Sequence, residues 1–87
     1  MHPDDVAGQA EFVFESLQQI LKHADASLDD VVKATIYVTD ISDFGAISAV
    51  RNRYFKNSEP VSTLVQVSAL VRPECRIEIE VVAVRSK

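Results

Sequence analysis

The sequence predicts a small α+β fold, a mixed sheet with two helices packed on one face. Three observations carry that expectation. The C-terminal third holds two β-branched runs, Ser62–Leu70 and Arg76–Arg85. An amphipathic helical pattern opens the chain, and a strand followed by a second helical pattern lies between. The order is therefore α-β-α-β-β, a strand–helix–strand unit beside an antiparallel pair.

In the first helix Val6, Ala10, Val13, Leu17, Ile20 and Ala24 recur at spacings of three and four, widened by Phe14 and Leu21. Asp4 or Asp5 can cap it, because a carboxylate there accepts the orphan amides of the first turn. Asp25 stands where a helix-terminating glycine is usual, and aspartate tolerates the left-handed conformation better than most residues. Strand Val31–Thr39 then places Val32, Ala34, Ile36 and Val38 on one face and Lys33, Thr35, Tyr37 and Thr39 on the other. Ser42 is a good cap for a second helix over Asp43–Phe55, whose buried side would be Phe44, Ile47, Val50 or Arg51, and Tyr54. Pro60 closes a polar loop and forces an extended entry into the next strand.

In the last strand Ile77, Ile79, Val81 and Ala83 share one face, and Glu78, Glu80, Val82 and Val84 the other. Mixing carboxylates with valines on that second face argues against full exposure to solvent. The link Val71–Cys75 contains Pro73, which breaks the ladder. Its length suits a hairpin, and a short crossover to a non-adjacent strand is the alternative.

A chain of 87 residues allows one domain with a thin core. At this size only about 60–65% of the unfolded surface is buried, and 47% hydrophobic residues is generous for a small monomer. A buried subunit interface fits both facts. The net charge of −4 argues against an electrostatic footprint for nucleic acid or an anionic membrane. The single cysteine, Cys75, cannot form an internal disulfide, which is compatible with a reducing compartment. The first ten residues lack the basic and apolar regions of a signal peptide, and no apolar run is long enough to span a bilayer. A soluble, cytoplasmic protein is the default expectation.

The run RIEIEVVAV, with SAL upstream, resembles the C-terminal signature of the RidA/YjgF family of reactive intermediate deaminases, also called L-PSP endoribonuclease-like. DDVVKATIYVTDISDFGAISAVRNRYF looks like the same family's strand–Asp–helix segment, in the right order. The resemblance runs from Val6 to Arg85. It implies a chorismate mutase-like fold, a homotrimer with three sheets around a barrel-like centre, and small-molecule clefts between subunits. Family members usually begin with a β-hairpin that has no counterpart here. Residues 1–87 therefore read as a single RidA-like domain truncated at its N-terminus, either a fragment or mis-started reading frame, or a naturally short member.

The resemblance also assigns candidate site residues. Glu78 matches the glutamate proposed to direct water at an imine carbon, a task for a half-buried carboxylate. Taken alone, Glu78 and Glu80 read as ordinary strand residues facing solvent or a neighbour's lysine. Ser62 stands where active members carry the arginine of a Pro-Ala-Arg motif, which clamps the substrate carboxylate. A serine cannot make that fork, and losing it removes on the order of 1.5–3 kcal/mol of charge-assisted hydrogen bonding. The backbone amide near Leu64 and the side chain of Ser48, where many members have asparagine, complete the expected substrate contacts. Glu59 replaces an aromatic residue that commonly precedes the proline. Arg72 and Arg76 are in sequence range of the site, while Tyr37 and Tyr54 read as packing residues with a polar tip.

No cofactor or metal is expected. His2, His23, Cys75 and the acids Asp25, Asp29 and Asp30 fit no metal-ligand or triad spacing. Cys75 reads as a passive thiol. Two functions follow: a cofactor-independent enamine or imine deaminase acting on 2-imino acids through Glu78, or a non-catalytic oligomer that binds a small metabolite. Ser62 and the missing hairpin favour the second, and the IEIE strand favours the first. A ribonuclease would follow only from the family's older name, and the acidic balance opposes it.

Overall fold

The computed structural model describes residues 5–56 and 59–84. Helix α1 spans Val6–His23 and helix α2 Phe44–Tyr54; the strands are β1 (Val31–Val38), β2 (Val61–Gln66) and β3 (Ile77–Ala83). Short 3-10 turns at Leu28–Asp30 and Ile41–Asp43 lead into β1 and α2. The α+β class and the element order match the sequence expectation. Asp4 and Arg85, each expected within or beside an element, lie outside the described residues.

The expected pairing of the last two strands is not what forms. The sheet order is β2-β1-β3, with β1 parallel to β2 and antiparallel to β3. Residues 67–76 cross the C-terminal end of β1, where the Val67 amide donates to the Val38 carbonyl and the Thr39 amide to the Arg76 carbonyl. These two bonds tie both ends of the crossover to the end of β1. The crossover also gives the apolar β1 a neighbour on both sides. Ser62–Leu70 shortens to Val61–Gln66 because the chain turns into this crossover.

Asp5 caps α1, its Oδ1 accepting from the Gly8 amide at 2.8 Å. Gly8 permits that close approach, since a Cβ there would lie 2.3 Å from Asp5 Oδ2. The helix ends as anticipated, with Asp25 at φ 61°. The Ala26 amide reaches back to the Leu21 carbonyl and the Asp25 amide to Lys22, a complete Schellman closure. The N-cap of α2 is Asp43, without a side-chain cap bond, rather than Ser42, and the 3-10 turn leading into it is capped by Asp40. The Asp40 carboxylate accepts from both the amide and the hydroxyl of Ser42, so the serine is a donor in that turn. Those bonds, the Ser42 hydroxyl's first, also lower the Asp40 pKa.

Both helices cover the face carrying Ala34, Ile36, Val38, Ile77 and Ile79, all buried. Phe14 is the hub, stacked on Tyr54 at 4.9 Å and edge-on to Phe55 at 5.4 Å, which ties α1 to α2. The β1 alternation departs from expectation at its start: Val31 is buried and Val32 is 48% exposed. The β1–β3 register shifts between Val31 and Lys33, so the extra residue flips Val32 outward. Ile20 and Phe44, expected to be buried, are exposed because each lies at the margin of its helix's apolar face. The second face of the sheet, with Thr35, Tyr37, Val65, Glu78, Glu80 and Val82, carries no covering layer among the described residues. No helix among them is long and apolar enough to cross a membrane.

Candidate functional site

The side chains singled out from the sequence fall at two edges of the sheet. At the β2 edge, parallel register pairs Ser62 with Ala34 and Leu64 with Ile36, so both point to the helix-covered face. Helix α2 turns Phe44, Ile47, Ser48, Arg51 and Asn52 toward them, a set spaced as one helical face. The space between is a cleft of about 480 Å³. It gathers the three expected substrate-binding residues, Ser62, Leu64 and Ser48.

The same cleft contains a cation that sequence reasoning had placed only among alternatives for the buried side of α2. Arg51 donates to Ser62 Oγ twice, from Nε at 3.1 Å and from Nη2 at 2.7 Å. Nη1 donates to Asn52 Oδ1 at 3.0 Å, and Nη2 also approaches the Pro60 carbonyl at 3.4 Å. The guanidinium lies 5.4 Å from the Phe55 ring centroid, a cation–π distance. All these partners are neutral. The arginines favoured by sequence proximity are engaged elsewhere: Arg72 pairs with Glu74 at 3.0 Å and Arg76 with Asp43 at 2.6 Å. The available sequence signal for Arg51 was its position three residues after Ser48 on one helical face.

Glu78 sits at the opposite edge, on β3, and opposite Tyr37 on the uncovered face. It borders an apolar groove of about 430 Å³ between α1 and the crossover, where Phe12, Ile20 and Val71 are exposed. Tyr37 donates to Glu80 at 3.4 Å. The Glu80 charge, with partial desolvation, that hydrogen bond and the Glu78 charge behind it, raises the Tyr37 pKa. Tyr54 is a packing residue with a polar tip, its hydroxyl donating to Glu15 at 2.7 Å. The structure therefore unites Ser48, Ser62 and Leu64 and leaves Glu78 apart from them, one strand beyond β1 and on the other face. Among the described residues, no three His, Cys, Asp or Glu side chains converge as metal ligands would.

The β3 edge is pinned by Gln9, buried to 1% exposure. Its Nε2 donates to the Glu74 carbonyl at 2.9 Å and its Oε1 accepts from the Arg76 amide at 2.7 Å. This polar core residue was not anticipated, because a helical stripe read for apolar residues passes over a glutamine.

The family model for Endoribonuclease L-PSP matches residues 1–85. The chain belongs to this family, the RidA/YjgF family. A RidA/YjgF relative, the 2-iminobutanoate/2-iminopropanoate deaminase of Mus musculus, is 37% identical over 83 residues, 95% of this chain and 61% of the relative. Rv2704 of Mycobacterium tuberculosis, described as a member of the YjgF/YER057c/UK114 family, superposes with a TM-score of 0.87 at 38% identity, over 90% of this chain and 66% of that one. The structure of Escherichia coli TdcF with bound serine gives 0.88 at 35% identity, over 94% and 66%. The chain thus spans about six-tenths of the mouse relative's length and two-thirds of those family structures.

Proposed function

We propose that the protein is a RidA-type enamine/imine deaminase that hydrolyses small 2-imino acids, with Glu78 directing the attacking water. The observation that carries this reading is the division of the site. A ligand cleft with Ser48, Ser62 and Leu64 lies at one edge of the sheet and an exposed carboxylate at the other. Two copies can bring one chain's cleft against another's Glu78, and a closed ring of three would repeat that contact at every boundary. The exposed apolar residues Val65 and Val82 on the uncovered face support such packing. The name of the mouse relative and the serine bound by TdcF agree with a small amino-acid-like ligand.

The chemistry requires little. An imine carbon is already electrophilic, and protonating its nitrogen makes it more so. Glu78 accepts a proton from water as the oxygen attacks, giving a tetrahedral carbinolamine. The proton then passes to nitrogen, the C–N bond breaks, and ammonia leaves with a 2-oxo acid as the other product. General base assistance of this kind is worth roughly 10²–10⁴-fold.

The test is hydrolysis of freshly generated 2-iminobutanoate, with mass in solution read by light scattering. Turnover from a particle of three copies, reduced by about 10²-fold or more in Glu78→Ala, is the expected result. A trimer without turnover would replace this reading with metabolite binding alone.

A further inference from the structure

We infer that Arg51 is the carboxylate-binding residue of this chain, supplying from helix α2 the guanidinium that strand β2 lacks at Ser62. The inference deepens the deaminase reading and rests on it for the identity of the ligand. Its basis is the local geometry.

The Nε and Nη2 groups of Arg51 form the edge of the guanidinium that suits two carboxylate oxygens, and both converge on Ser62 Oγ. The occupant of that fork is a neutral hydroxyl. No carboxylate among the described residues pairs with Arg51, whereas Arg53, Arg72 and Arg76 each have one. The side chains lining the cleft include no acid, so Arg51 is the only charged group there among the described residues. A half-buried cation beside neutral partners is an anion site, because a bound anion gains the full charge-assisted interaction with no resident counter-ion to displace.

The surroundings fix the orientation of the fork. Asn52 Oδ1 holds Nη1, and the Phe55 ring lies at cation–π distance, which limits the motions of a long flexible side chain. Ser62 can then serve both partners, its oxygen accepting from Arg51 and its hydrogen turning from the Pro60 carbonyl, now at 3.4 Å, toward a ligand oxygen. Beside the polar Ser48 and Thr63, the lining includes the apolar Ile36, Phe44, Ile47 and Leu64, which suit a short aliphatic tail. The ligand class is a small 2-oxo or 2-imino carboxylate.

The experiment is binding of 2-oxobutanoate to the purified full chain, followed by amide chemical shifts, with 2-oxobutanamide as the uncharged control. Wild type should bind the acid and discriminate against the amide. Arg51→Ala should weaken acid binding by about 10–100-fold, and Arg51→Lys should recover only part of it, since an ammonium keeps the charge without the fork. The double variant Arg51→Ala/Ser62→Arg should restore binding by returning the guanidinium from the strand. Wild-type binding unchanged in Arg51→Ala would overturn the inference while leaving the deaminase reading standing. No binding of the acid by wild type would overturn it as well. Arg51-dependent binding without hydrolysis of 2-iminobutanoate would uphold the inference and remove the deaminase reading.

Discussion

The two edges of the sheet are built from strands consecutive in sequence, yet they differ in chemistry. The β2 edge presents a cleft with a guanidinium held by neutral acceptors. The β3 edge presents a carboxylate beside an apolar groove, and its entry is fastened to α1 by a buried glutamine. The separation follows from strand order. Inserting β1 between β2 and β3 places Ser62 and Glu78 on different edges and opposite faces. Adjacency along the chain is a poor guide to adjacency in a site when the partner of both strands lies upstream.

If the edges are independent, each should be damaged alone. The largest expected effect belongs to Gln9→Ala, which strips hydrogen bonds from the Glu74 carbonyl and the Arg76 amide, both part-buried. With about 1–3 kcal/mol for each of the two unsatisfied groups, urea denaturation should show a loss of roughly 2–6 kcal/mol. Affinity for 2-oxobutanoate should stay at the wild-type value wherever the variant is folded. A parallel loss of binding would show that the edges are coupled. Arg51→Ala should do the reverse. Its lost cation–π contact and exposed hydrogen bonds should cost under about 1 kcal/mol in the same denaturation experiment, so its effect on ligand would not be a folding defect.

The smallest effect is electrostatic and confined to the uncovered face. Because Glu80 and Glu78 raise the Tyr37 pKa above the ordinary 10.0, the folded state holds that proton more tightly than the unfolded chain. The contribution to stability is complete below pH 10.0 and is lost as pH rises through the folded value. Ultraviolet absorbance of tyrosinate should show a midpoint above 10.0, and Glu80→Gln should lower it. Tyr54, raised chiefly by its hydrogen bond to Glu15, should not respond to that variant. An unmoved profile in Glu80→Gln would mean that the acidic face does not act on Tyr37.

Much of this was legible in the sequence where the determinants are local. Periodicity located both helices and the buried Ile36, Val38, Ile77 and Ile79. Asp25 was legible as a left-handed helix end because few residues tolerate that conformation. Strand pairing was not legible, since a short polar link is compatible with either a hairpin or a crossover. The bulge at Val32 left no mark because a valine is acceptable on either face. Ser48, Ser62 and Leu64 were candidates from the family pattern, and they line one cleft. Arg51 was not legible as their partner, because its approach to Ser62 depends on the parallel register of β2 against β1 and on where α2 packs over that edge.

Placing β1 in the middle also bears on how the chain folds. Its pairings are all distant, Lys33 with Val61 and Tyr37 with Glu78, and among the described residues no hairpin could form first and template the rest. Long loops must close before any ladder bond forms, which slows folding relative to a helical chain of this length. On the ribosome the parallel β1–β2 pair can assemble once β2 emerges. The second edge of β1 then stays open until β3 has been made.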